Sequence, residues 1–118
     1  MKVENSKTND ELQKGRSHII IDIVDYMPDS VIDKLIIKKS TGNVRAMSFD
    51  LGQELKKRTS PFDAFIQVIE GNADVIINNI SHKLETGHGI VIPAHAIGAI
   101  RSIGRFKIIE TIIKSGYE

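Results

Sequence analysis

The sequence contains no cysteine and no tryptophan. Without cysteine there is no disulfide framework, no thiol nucleophile and no thiolate metal ligand. The aromatic residues are few: Tyr26, Phe49, Phe62, Phe65, Phe106 and Tyr117. They are too scattered for a base-stacking platform, which argues against single-stranded nucleic acid as a partner. An excess of charge of one sign is also missing. Lys and Arg number 16 against 15 Asp and Glu, a formal net charge of +1. No general field attracts nucleic acid or an anionic membrane, so such a partner would need a local patch. No apolar run approaches the length of a bilayer span. The N-terminus lacks the apolar core of a secretory signal. The expected location is the cytoplasm, with neither nucleic acid nor membrane as partner.

What is there reads as an ordinary globular chain. Hydrophobic residues make up 41% and charged residues 26% of 118 positions, enough for one domain with a modest core. Isoleucine and valine dominate the apolar content. Their β-branched side chains are stiff at χ1 and favour pleated strands.

Residues 1–15 read as a flexible polar tail, with at most a helical turn over Asp10 to Lys14 stopped by Gly15. Residues 16–118 read as one all-β domain. Ser17 to Tyr26 predicts a first strand, and Met27 to Ser30 a turn. Val31 to Lys39 fits a helix face or a strand, and its β surroundings favour the strand. Thr41 to Asn43 predicts a hairpin turn before a strand over Val44 to Asp50. In that strand Met47 and Phe49 are expected to face inward and Arg45 outward. Leu51 to Ser60 predicts a loop carrying the basic cluster Lys56, Lys57 and Arg58. Pro61 to Ile69 predicts a strand turned back at Glu70 to Asn72. Ala73 to Ile77 and Ile80 to Leu84 form a hairpin about Asn78-Asn79. Gly89 to Ile92 is a short strand, and Ile97 to Ile103 and Arg105 to Ile113 are the last two, joined at Gly104.

From Gly52 to Gly98, apolar runs are cut at short intervals by glycine, asparagine and proline. Gly52 and Gly71, then Gly87 and Pro93, stand at the spacing of a two-part signature. The stretch resembles the cupin family, whose motifs are G-x5-H-x-H-x3,4-E-x6-G and G-x5-P-x-G-x2-H-x3-N. The segment from Thr59 to Gly71 is similar to that of small, stand-alone, RmlC-like bacterial cupins. The resemblance implies a jelly-roll barrel, that is, a double-stranded β-helix. It also implies where metal ligands would stand. The first-motif histidine positions are Arg58 and Ser60 here, and the glutamate position is Ala64. The second-motif histidine position is Gly98, and the glycine two after the proline is His95. A guanidinium cannot coordinate, and alanine and glycine offer no donor. The resemblance therefore implies a cupin without the usual metal, and no cofactor is expected.

Arg58 has two readings. It either belongs to a solvated basic loop with its lysine neighbours, as short charge runs usually do. Or it points inward and places a fixed cation at a cavity, with Ser60 as an added donor. The candidate ligand-binding residues are Arg58, Ser60, His95, Met47 and Phe49, for a small polar or anionic molecule. The alternative is a small enzyme of oxygenase or isomerase type with an unusual metal site at His88 or His95. Two ligands without a third rarely make a selective site. A third reading is a structural or interaction module with a filled barrel. His18 and His82 read as surface residues. The isoleucine-rich runs Ile19 to Val24 and Ile108 to Ile113 exceed what one small barrel needs, so a homodimer is expected.

Overall fold

The computed structural model describes residues 7–8 and 10–117. The strands are β1 (Lys7–Thr8), β2 (Val31–Lys39), β3 (Gly42–Phe49), β4 (Glu54–Thr59), β5 (Asp63–Ile77), β6 (Ile80–Glu85), β7 (Gly89–Ile92) and β8 (Ile97–Ile113). The architecture is all-β and, apart from the parallel contact of β1 with β2, antiparallel.

Two long strands organise the barrel. The first half of β5 pairs with the second half of β8, from Asp63↔Ile113 to Gly71↔Phe106. The second half of β5 pairs with the first half of β8, from Ala73↔Ser102 to Ile77↔Gly98. β3 flanks the second half of β8 and β4 the first half. β7 and β6 flank the two halves of β5. Each long strand therefore serves both faces of a jelly roll, bending where the register shifts, between Val68 and Ala73. Gly71 sits in that bend with φ +85°. A β-carbon there would overlap the Arg105 carbonyl oxygen, so the bend requires glycine.

This corrects three expectations. Glu70 to Asn72 is a bulge inside one continuous strand, not a turn. Gly104 likewise lies within β8 and does not divide it. Leu51 to Ser60 is mostly strand: β4 pairs with β8 from Glu54↔Arg101 to Thr59↔Ile97. Bulges keep the ladder going where glycines and polar residues look like a stop.

Ser17 to Tyr26 is not a strand either. It contains a single 3-10 turn, Ile20–Asp22, and has no ladder partner. Its backbone is held by side chains instead. Lys107 Nζ donates to the Ile21 carbonyl (2.5 Å), and Ser48 Oγ donates to the Asp25 carbonyl (2.7 Å). Ser48 and Lys107 alternate with inward residues, so this strap crosses the outer face of the sheet. Val24 is its buried anchor. No helix forms over Asp10 to Lys14. Instead Leu12 N–H donates to Ile36 O, and Glu11 accepts from the Lys38 N–H of β2. Within the expected tail Lys7 and Thr8 form β1, paired with Asp33 and Lys34 of β2, while residues 1–6 and 9 lie outside the described residues.

Val31 to Lys39 is a strand, and the Asn78-Asn79 hairpin is present, with both residues at positive φ as a two-residue turn requires. The turn before β3 is Ser40-Thr41, closed by the Lys39↔Gly42 pair. Inward residues from several strands fill one end of the barrel: Met47, Phe49, Ile66, Val68, Val75, Leu84, Ile100, Phe106 and Ile108. Phe49 and Phe106 are register partners and stack at 4.3 Å. Each large side chain so buried contributes about 2 kcal/mol by leaving water.

Ile108 to Ile113 is inward-facing and buried at Ile108 but half-exposed at Ile113. It lies between β3 and β5. Among the described residues no helix is long and apolar enough to cross a membrane.

Candidate functional site

The other end of the barrel is hollow. A cavity of about 160 Å³ has apolar walls from Leu55, Phe62, Ile92, Ile100 and Ile112. Its polar groups include Arg58, Ser60 and Glu110.

Arg58 reaches this wall through a bulge. Leu55 pairs with Ile100 and Arg58 with Gly98, with a register shift between them. Simple alternation would put Leu55 and Arg58 on opposite faces of β4. The extra residue puts both on the inner face and leaves Lys56 and Lys57 exposed. Gly98 lies opposite Arg58, and a β-carbon there would press on the Ile92 side chain at 3.2 Å.

Glu110 is 1% exposed. It alternates with Ile108 and Ile112, so the pleat carries it inward with them. Two arginines hold it. Arg45 Nε donates to Glu110 Oε1 at 2.7 Å, and Arg58 Nη2 donates to Oε2 at 3.2 Å. Arg45 also donates to Asp33 Oδ2 at 2.6 Å. Burial acts to lower the Arg45 pKa, but the Glu110 and Asp33 carboxylates outweigh it and the net shift is upward. Arg45 thus faces inward on the row of Met47 and Phe49, contrary to the expectation that it faces out. A cation is tolerated there because two carboxylates meet it.

Arg58 differs from Arg45. Its side chain is 51% exposed. Glu110 is its single ion-pair partner among the described residues and takes one of five guanidinium N–H donors. Ser60 Oγ accepts from the Phe62 N–H, leaving the hydroxyl hydrogen free to donate.

Of the candidate residues, Arg58 and Ser60 line the cavity. So do Ala64 and Gly98, which means the four positions aligned with metal ligands border one space. Met47 and Phe49 do not reach it: they belong to the filled end of the barrel. His95 also stays off the wall. It is exposed, at φ +72°, and its N–H donates to the Ser60 carbonyl (2.7 Å). That left-handed backbone favours glycine, which fits the motif position it occupies. His88 and His95 lie beyond opposite ends of β7 and do not converge. His88 Nδ1 accepts from the Glu85 N–H and borders an outer groove beside Phe65 and Ile20. His82 is half-buried, against the Val75 carbonyl, and His18 is exposed.

The donor set at the cavity does not fit a divalent ion. Glu110 is its single carboxylate, and each oxygen already accepts from a guanidinium. Among the described residues no three His, Cys, Asp or Glu side chains converge as metal ligands. Glu110 and Arg45 are the site residues that motif reasoning missed. Their signal was a charged residue spaced by two within an inward apolar row.

No protein-family model and no curated protein sequence matches this chain. Solved structures do. A conserved protein of unknown function from Streptococcus pyogenes superposes with a TM-score of 0.85 at 20% identity, over 91% of this chain and 94% of that one. A cupin superfamily protein from Desulfitobacterium hafniense gives 0.84 at 19% identity, over 90% of this chain and 97% of its own. An RmlC-like cupin from Desulfovibrio desulfuricans gives 0.74 at 20% identity, covering 84% and 96%. Such identities speak for the backbone arrangement alone. The chain has the small, RmlC-like jelly-roll fold of the cupins.

Proposed function

We propose that this protein binds a small molecule bearing an anionic group inside the barrel, without a metal, as a sensor or carrier. The observation that carries this reading is Arg58. A permanent cation with four N–H donors that no described residue takes stands at the wall of an apolar cavity. Ser60 adds a neutral donor beside it on the same wall. The chemistry of Arg58, Ser60, Ala64 and Gly98 supports the metal-free part, since none of them is a usual ligand type.

The test is NMR titration of the untagged protein with acetate, propionate and inorganic phosphate. Saturable shifts on cavity residues, abolished in Arg58→Ala, are expected. Shifts confined to other surfaces, or unchanged in the variant, would overturn the reading. Near-stoichiometric transition metal by mass spectrometry would overturn its metal-free part.

We also propose a homodimer. Phe65 and Val91 are register partners on the outer face of β5 and β7, 40% and 52% exposed. Ile20 borders the same groove. A second copy of this face would cover them.

A further inference from the structure

We infer that the ligand of this cavity is a small zwitterion, an α-amino acid with a short side chain, recognised by Arg58 and Glu110 together. The inference rests on the cavity reading above and narrows it.

The charges decide the class. Asp33, Arg45, Glu110 and Arg58 form a chain of ion pairs with two cations and two anions. The set is balanced before any ligand enters. A simple anion would leave one uncompensated negative charge beside a buried carboxylate, which is costly away from water. A molecule carrying both charges keeps the balance.

The geometry agrees with the charge count. Arg58 and Glu110 are in contact, at 3.2 Å, on the wall of one cavity. Opposite charges on neighbouring wall groups match opposite charges borne on one ligand carbon, as in an α-amino acid. The carboxylate takes the free Arg58 donors. The ammonium donates to Glu110, whose oxygens have about four acceptor sites. Arg45 and Arg58 occupy two of these. Each oxygen is already met by one guanidinium, and the remaining lone-pair capacity at the cavity wall is open to a ligand donor.

Size limits the side chain. The cavity measures about 160 Å³. An apolar cavity of about 150 Å³ accommodates benzene, so about six non-hydrogen atoms fit here. Alanine has that size. Its methyl group would meet Ile100 and Ile112.

The experiment compares L-alanine, L-lactate and propionate by NMR titration of the full chain, in the wild type and in Glu110→Gln. Lactate matches alanine in size but replaces the ammonium with a hydroxyl. The expected result is at least tenfold tighter binding of alanine than of lactate or propionate. In Glu110→Gln the order should reverse, since a neutral wall then faces Arg58. Lactate or propionate binding the wild-type cavity as tightly as alanine overturns the zwitterion inference and leaves the cavity reading standing. An alanine preference that persists in Glu110→Gln overturns the role given to Glu110. No cavity shifts with any of the three, nor with acetate or inorganic phosphate, overturns both readings. Should Glu110→Gln fail to fold, the wild-type ranking decides alone.

Discussion

Glu110 carries a charge into a nearly water-free position and is tolerated because Arg45 meets it at 2.7 Å. Arg45 and Arg58 share that carboxylate but stand in different surroundings: their side chains are 21% and 51% exposed. Breaking a buried ion pair strands the remaining charge, which costs about 3 kcal/mol or more. A half-exposed pair contributes under about 1 kcal/mol. Glu110→Ala is therefore expected to lower the urea midpoint strongly and Arg58→Ala slightly. Equal losses would show that Arg58 is a structural member of the cluster and not its free cation. Neither the inward Arg45 nor the buried Glu110 was legible from composition. Arg45 looked like a surface residue because its partner lies 65 positions away along the chain. The period-two spacing Ile108, Glu110, Ile112 was the one local sign that a carboxylate faces inward.

At the scale of elements, turn chemistry was readable where it is local. Asn78 and Asn79 mark a hairpin because asparagine tolerates positive φ better than most residues. Bulges were not readable: Gly71 and Gly104 resemble turns in sequence, yet the ladder continues through them. The strap Ser17 to Tyr26 has strand composition without a strand, and its carbonyls are met by the side chains of Lys107 and Ser48 instead of a ladder. The outer face of β5 and β7 follows from alternation, which carries Phe65 and Val91 outward together. Light scattering is expected to give twice the 13.1 kDa chain mass, with Phe65→Lys reducing it to one chain. A monomeric wild type, or a dimer indifferent to that change, would sink this face as the contact.

The whole molecule should show a pH window. Asp50 is held below the usual aspartate range by the Asp29 N–H and then by Arg105. For Asp74, burial acts upward, but Ser81 and Arg101 outweigh it and the net shift is downward. A lowered folded-state value means that the unfolded chain takes up protons first as pH falls. The stabilisation is present above about pH 4 and is lost below it. Tyr26 shifts the other way: burial first, then the hydrogen bond to Glu70, push its phenol well above the ordinary value. The unfolded chain then loses its proton first, so stability falls as pH rises beyond about 10. Thermal midpoints should form a plateau between these limits, and Tyr26→Phe should flatten the alkaline fall. An alkaline limb unchanged in that variant would count against Tyr26. The sequence by itself determined the strand-rich character, the local hairpin and the glycine and proline spacing of a jelly roll, because each depends on residues close in the chain. Only the tertiary structure decided that Arg58 and Glu110 share a cavity while Met47 and Phe49 lie in the packed end. That outcome depends on a bulge in β4 and on partners 52 and 65 residues apart, and no local pattern records either.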